Sequence, residues 1–92
     1  MSVTIIIPTA LRQYANDSEE MKVESRTVSE ALARLTTEHS ELRRHLYNEA
    51  NHLRNFVNVY VNDEDIRHVS GQNTPLKDGD TIMIIPAIAG GK

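Results

Sequence analysis

Ninety-two residues, with 10 basic and 13 acidic side chains and a net charge of −3, make one domain with one modest core and little room for a deep cleft. The acidic balance and the scarcity of aromatics (Tyr14, Tyr47, Phe56 and Tyr60) argue against a phosphate-backbone groove or a base-stacking platform, so nucleic acid is not an expected partner. The absence of cysteine excludes disulfides, thiolate metal sites, Fe–S clusters and cysteine nucleophiles.

The first apolar run, Val3 to Ile7, is β-branched and stops at Pro8, which cannot donate to a sheet ladder; it reads as a mostly buried strand. The run is too short for a signal h-region or a membrane span and no positive segment precedes it, so the expected location is the cytoplasm, with no membrane partner. "TALRQYANDSEEM" reads as a polar connection with turn chemistry at Asn16, Asp17 and Ser18, and "MKVES" as a second strand paired with the first.

Thr27, Val28, Ser29 and Glu30 form a T-x-x-E capping box, in which each of the two end side chains satisfies an orphan backbone donor of the other. Behind it Val28, Ala31, Leu32 and Leu35 fall at i, i+3, i+4 and i+7, the apolar stripe of the main helix, ending near Glu38. Leu42 and Leu46 mark a short second helix with Ser40 as a possible cap, and "YNEANHLRN" reads as irregular. "FVNVYV" alternates, with Val57, Val59 and Val61 on one face and Phe56, Asn58 and Tyr60 on the other. "NDED" turns that strand and "IRHV" is expected to pair back briefly. Asp78-Gly79 is a turn signal, and "TIMIIP" is the last strand, ended by Pro86. The expected fold class is α+β, a sheet with one main helix packed on one face.

Other chemistries find no constellation. His45 and His52, if on one helix, would stand about 10.5 Å apart, too far to share a metal ion, so the four histidines read as solvated and no metal site is expected. "NDED" at 62–65 lacks the spacing of a calcium loop, and Ser70 near His68 lacks the elbow and positioned acid of a triad. No catalytic constellation is found in the chain, so it does not read as an enzyme.

The end of the sequence, "PAIAGGK", carries the functional signal. Together with "VTIIIPTALR", "FVNVYVNDEDIR" and "DGDTIMIIPAIAGG", it resembles the β-grasp, ubiquitin-like sulfur carriers of the MoaD/ThiS superfamily, and within them the CysO type that serves cysteine biosynthesis. The resemblance implies a mixed sheet of four to five strands over residues 1–86 and a flexible tail over residues 87–92.

It also implies a reaction cycle. An adenylating activating enzyme consumes ATP at the carboxylate of Gly91, with no cofactor bound to the carrier itself, and a sulfur donor converts the acyl-adenylate to a thiocarboxylate. Ile88, Ala89 and Gly90 thread the tail into partner active sites; glycine suits this because it lacks a Cβ and passes a narrow channel. The acceptor implied is a pyridoxal-phosphate cysteine synthase, and the product is released by a metalloprotease that cleaves after Gly-Gly. Lys92 departs from the family pattern, since it places the Gly91 carbonyl in an amide; the expected resolution is proteolytic processing between Gly91 and Lys92.

Exposed apolar groups on the uncovered face of the sheet are the expected docking surface, with Phe56, Tyr60 and Pro86 as candidates; periodicity leaves open which face is uncovered. Three other readings stay open: a small subunit delivering sulfur to the molybdopterin synthase large subunit, a ubiquitin-like protein modifier, and a binding module with an inert tail.

Overall fold

The computed structural model describes residues 2–86. Its strands are β1 (Ser2–Ile6), β2 (Glu20–Glu24), β3 (Val57–Val61), β4 (Glu64–Asp65) and β5 (Thr81–Pro86), and its α-helices are α1 (Val28–Glu38) and α2 (Arg43–Leu46). The sheet order is β2-β1-β5-β3-β4, with β1 and β5 parallel and every other neighbour antiparallel. The first and last long strands therefore lie side by side at the centre, and the chain's path in the sheet ends on a strand paired along both edges. Thr81–Met83 pair with β1 and Ile82–Pro86 with β3, so the last residues of β5 are held along one edge.

Alternation along the strands sorts the two faces. Val3 and Ile5, Val23, Val57 and Val59, and Ile82 and Ile84 point to one side and are buried against Val28, Ala31, Leu32 and Leu35 of α1. Burial of a Leu or Ile side chain stabilises by roughly 1.5–3 kcal/mol, so this layer provides most of the driving force. Leu42 and Leu46 close one end of it, and Ile66 and Leu76 complete the cluster.

The capping box forms with one difference in its partner. The Glu30 N–H donates to Thr27 Oγ1 at 3.2 Å, as expected, but the Glu30 carboxylate accepts from the N–H of Arg26, one residue before the cap, at 2.7 Å. The Arg26 carbonyl accepts from Leu76 and the Thr74 carbonyl accepts from Val28 at 3.1 Å, so the helix start is tied to the loop before β5.

Three local expectations are corrected. The connection after β1 is not a plain polar loop: Thr9–Ala15 forms a 3-10 helix that buries Leu11 and Ala15, before Asn16 and Asp17 turn the chain at φ 54° and 61°. Ser40 caps nothing; it opens a 3-10 turn, Ser40–Leu42, that runs directly into α2. "NDED" is itself a hairpin, in which Asn62 and Asp63 take positive φ as a two-residue turn and Glu64–Asp65 is β4, while Ile66–His68 coils as a 3-10 turn without pairing.

The loops converge at the opposite end of the sheet from Pro86. Asp78 Oδ1 accepts from the Ser2 N–H, the Gly79 N–H donates to Ser2 O, and Asp80 Oδ1 accepts from Asn62 Nδ2 at 2.8 Å. The Asp78-Gly79-Asp80 turn thus fastens the starts of β1 and β5 to the β3–β4 hairpin, and Gly79 takes a φ of 90° that only glycine adopts readily.

Candidate functional site

The site begins where β5 ends. Pro86 lies in register with Val57 at the start of β3, and proline has no N–H with which to extend the ladder. Ile88, Ala89, Gly90, Gly91 and Lys92, expected as the threading segment, the thiocarboxylate position and the processing site, lie outside the described residues.

The face of the sheet opposite α1 is uncovered and carries a row of apolar groups. Met83 is the register partner of both Ile6 on β1 and Tyr60 on β3, so these three side chains cross the sheet in one line. Met83 is 38% and Ile85 42% exposed, while Ile6 and Tyr60 are half-buried. Large apolar groups set side by side in water cost free energy while nothing covers them.

Of the expected docking residues, Tyr60 lies in this row. Phe56 sits just before β3, in the turn closed by the Val57 N–H and Arg54 O, and is 40% exposed. Pro86 follows the alternation of Ile82 and Ile84, away from Met83 and Ile85, and flanks the patch at the tail's root. Sequence reasoning passed over Ile6, Met83 and Ile85. The signal was present, since residues alternating with a buried set in "TIMII" must face the other way, but an unbroken apolar run conceals it.

On the outer edge of β3, Arg67 joins Asp65 and Asn58. Its Nη2 lies 2.7 Å from Asp65 Oδ2 and 2.9 Å from Asn58 Oδ1, and its N–H also donates to Asp65 Oδ1. The side-chain hydrogen bond from Arg67, with the backbone one behind it, holds the Asp65 carboxyl down at about 2. This is a structural pair that blunts a strand edge.

The segment after α1 is more ordered than its composition implies. Tyr47 and Leu53 bridge, the Asn48 N–H donates to His52 O, the Arg54 N–H donates to Leu46 O, and Asn48 Oδ1 accepts from Ala50 and His52. Burial pushes the Tyr47 hydroxyl up from its ordinary value; its O–H reaches Gln72 Oε1 at 3.3 Å. One histidine departs from expectation: His45 is not solvated but stacks on Tyr14 with ring centroids 4.0 Å apart, its Nε2 buried and without a partner. Among the described residues, no three His, Asp or Glu side chains converge to hold a metal ion.

A mixed five-stranded sheet grasping one long helix, with parallel first and last strands, is the ubiquitin-like β-grasp architecture. The chain belongs to the ThiS family, whose model matches residues 5–91. It is 37% identical over 93 residues to the sulfur carrier protein CysO of Mycobacterium tuberculosis, covering 99% of this chain and all of that one.

Among solved structures it is similar to the BexX/CysO complex of Amycolatopsis orientalis, with TM-score 0.87 and 40% identity over 97% of this chain and 99% of that chain. It is also similar to small archaeal modifier protein 1 of Methanosarcina acetivorans, with TM-score 0.87 and 28% identity over 98% and 96% of the two chains. These matches make the protein a sulfur carrier of the CysO type, a protein cosubstrate and not a catalyst.

Proposed function

We propose that the chain carries sulfur as a thiocarboxylate on Gly91, for cysteine biosynthesis, after removal of Lys92. The observation that carries this reading is the full-length likeness to CysO carriers, joined to a family match that runs to Gly91 and stops before Lys92. A carboxylate is a poor electrophile, and splitting its conversion into adenylation and displacement gives two easier steps. An activating enzyme joins the Gly91 carboxylate to the adenylyl group of ATP, releasing pyrophosphate. A sulfur donor then displaces AMP and leaves the C-terminal C–S bond.

The remaining partners follow from that chemistry. A pyridoxal-phosphate synthase supplies the activated amino acid that accepts the sulfur, and a Gly-Gly-cleaving metalloprotease both trims Lys92 and releases product. ATP-dependent activation puts the carrier in the cytoplasm. The row of Ile6, Tyr60, Met83 and Ile85 docks these partners, with Phe56 and Pro86 at its margin beside the tail's root. The relative crystallised as a BexX/CysO complex supports docking by a carrier of this shape.

A second reading has one specific observation behind it, the likeness to a small archaeal modifier protein, in which Gly91 would join lysines of other proteins. Intact mass spectrometry of the protein from its native cells separates the readings. Loss of Lys92 with an oxygen-to-sulfur mass shift is the expected result. An unmodified Lys92 that persists under sulfur limitation sinks the carrier reading, and high-mass conjugates that vanish when Gly91 is deleted favour the modifier.

A further inference from the structure

Charge is unevenly distributed in this molecule. Residues 39–54 hold Arg43, Arg44 and Arg54 against Glu41 and Glu49, a balance of 3 − 2 = +1, whereas the rest of the chain carries 7 − 11 = −4. Three of the four histidines, His39, His45 and His52, fall in the same segment.

Two of these arginines are held in place without being neutralised. The Arg43 guanidinium donates through Nη2 to Asn51 Oδ1 and lies over the Tyr47 ring, 5.2 Å from its centroid. Arg54 donates through Nε to the backbone carbonyl of Arg44 at 2.9 Å. Both acceptors are neutral, so each positive charge keeps its value and each guanidinium keeps further N–H donors. Arg44, by contrast, is paired with Glu41 at 3.1 Å. Arg43 and Arg54 border one open depression of about 520 Å³ with Tyr47, Asn51 and the Arg44–Glu41 pair, and Glu49 also lines it, so three arginines stand there against two glutamates. An arginine fixed before its partner arrives loses less conformational freedom on binding, and its planar fork fits a carboxylate.

The position of the pair identifies the occupant. Arg54 closes the turn into Val57, and Val57 is the register partner of Pro86, so the clamp stands at the end of the sheet from which the tail departs. We infer that Arg43 and Arg54 form a clamp for carboxylates of an acidic segment on the adenylating enzyme that receives the tail. This rests on the proposed reading that the tail enters such an enzyme. The nucleotide phosphate is a poorer occupant, because it is joined to Gly91, five residues along the chain from Pro86, and enters the enzyme with the tail. The enzyme surface around the channel mouth, and not the nucleotide inside, meets the clamp. Complementary charge there speeds encounter and sets the orientation in which the tail is presented.

The test is adenylation of the chain ending at Gly91 by the E1-like enzyme of the same cells, followed by ATP–pyrophosphate exchange. For Arg43→Glu/Arg54→Glu the KM for the carrier should rise roughly tenfold at low salt, with kcat and the KM for ATP unchanged. The gap should narrow at about 0.5 M salt, where screening shortens the reach of the charges. Arg43→Lys/Arg54→Lys should recover much of the loss, and Arg34→Glu on α1 should lose nothing. Circular dichroism checks folding, and Arg43→Gln/Arg54→Gln serves if the reversed pair is unstable.

An unchanged carrier KM, in an assay that deletion of residues 90–92 abolishes, overturns the clamp and leaves the tail reading standing. A rise in the KM for ATP instead assigns the arginines to nucleotide phosphate and overturns the acidic partner. Exchange that survives the tail deletion removes the carrier reading and the clamp with it.

Discussion

Tyr60 and Met83 face each other across β3 and β5, and Met83 meets Ile6 on its other side, so one exposed methionine lies at the centre of the uncovered face. The thioether is unbranched and adaptable, which fits the docking role proposed for this face. Met83→Asp should raise the KM for adenylation by roughly tenfold or more, since a charge at the core of an apolar interface must be desolvated on docking. Its melting temperature should hardly move, because the side chain is 38% exposed in the free protein. Steady-state kinetics beside a thermal melt separates the two effects, and an unchanged KM removes this face from the docking surface.

Asn62 ties the end of β3 to the start of β5 and the loop before it. Its Nδ2 donates to Asp80 Oδ1, its Oδ1 accepts from the Thr81 N–H at 3.0 Å, and its own backbone sits at φ 49°. Asn62→Ala loses both bonds and the tolerance for the left-handed region, a destabilisation of about 2 kcal/mol. Asn62→Gly keeps the backbone freedom and should lose only about 1 kcal/mol. Urea unfolding of the two variants gives the difference, and equal losses would show that backbone strain plays no part.

The helix start predicts a coupled pair. Thr27→Ala should destabilise by about 1 kcal/mol, the usual size for a lost cap. Glu30→Ala releases the Arg26 N–H and should also weaken folding. Because the Thr27 and Glu30 side-chain bonds close the same turn, from Arg26 to Glu30, the loss of either loosens the geometry the other needs, and the double variant should lose less than the sum of the singles. A double-mutant cycle in urea measures the shortfall; strict additivity would mean that the two bonds are independent.

Acid should uncover the Asp65–Arg67 pair. Asp65 falls from 3.8 to about 2 in the folded protein, so the unfolded chain binds its proton more tightly. The pair's contribution is therefore present in full above pH 3.8 and is lost as pH falls through about 2. Asp65→Asn should flatten that part of the stability profile between pH 4 and 2 without altering the slope elsewhere. Urea midpoints measured across the window supply the comparison, and an unaltered acid limb would show that Asp65 is not a source of it.

Local signals were the most legible. Thr27 and Glu30 are three residues apart, and the stripe of Val28, Ala31, Leu32 and Leu35 needs only its own helix to be read. Leu11 and Ala15 were not legible as core, because a 3-10 turn too short to show a period leaves them within a polar stretch. Asn62-Asp63 was legible as a turn but not as the middle of a hairpin, since β4 spans only two residues. The diglycine at Gly90 and Gly91 is legible because it follows the last strand at the distance that the carriers' tail does. Arg43 and Arg54 are not, since nothing in their spacing shows that Asn51 and the Arg44 carbonyl hold them near the tail's root.

The sequence by itself determined most of the core-forming side chains, the main helix and its cap, the four longer strands and the chemistry open to a Gly-Gly end, because each depends on neighbours a few positions away. Only the tertiary structure decided that β1 lies parallel to β5, that Ile6, Tyr60 and Met83 meet in one row, and that the face bearing them is left uncovered. Those relations join residues from 23 positions apart, Tyr60 and Met83, to 77, Ile6 and Met83. They are chosen by how one helix covers one side of a sheet, and no periodicity along the chain records which side that is.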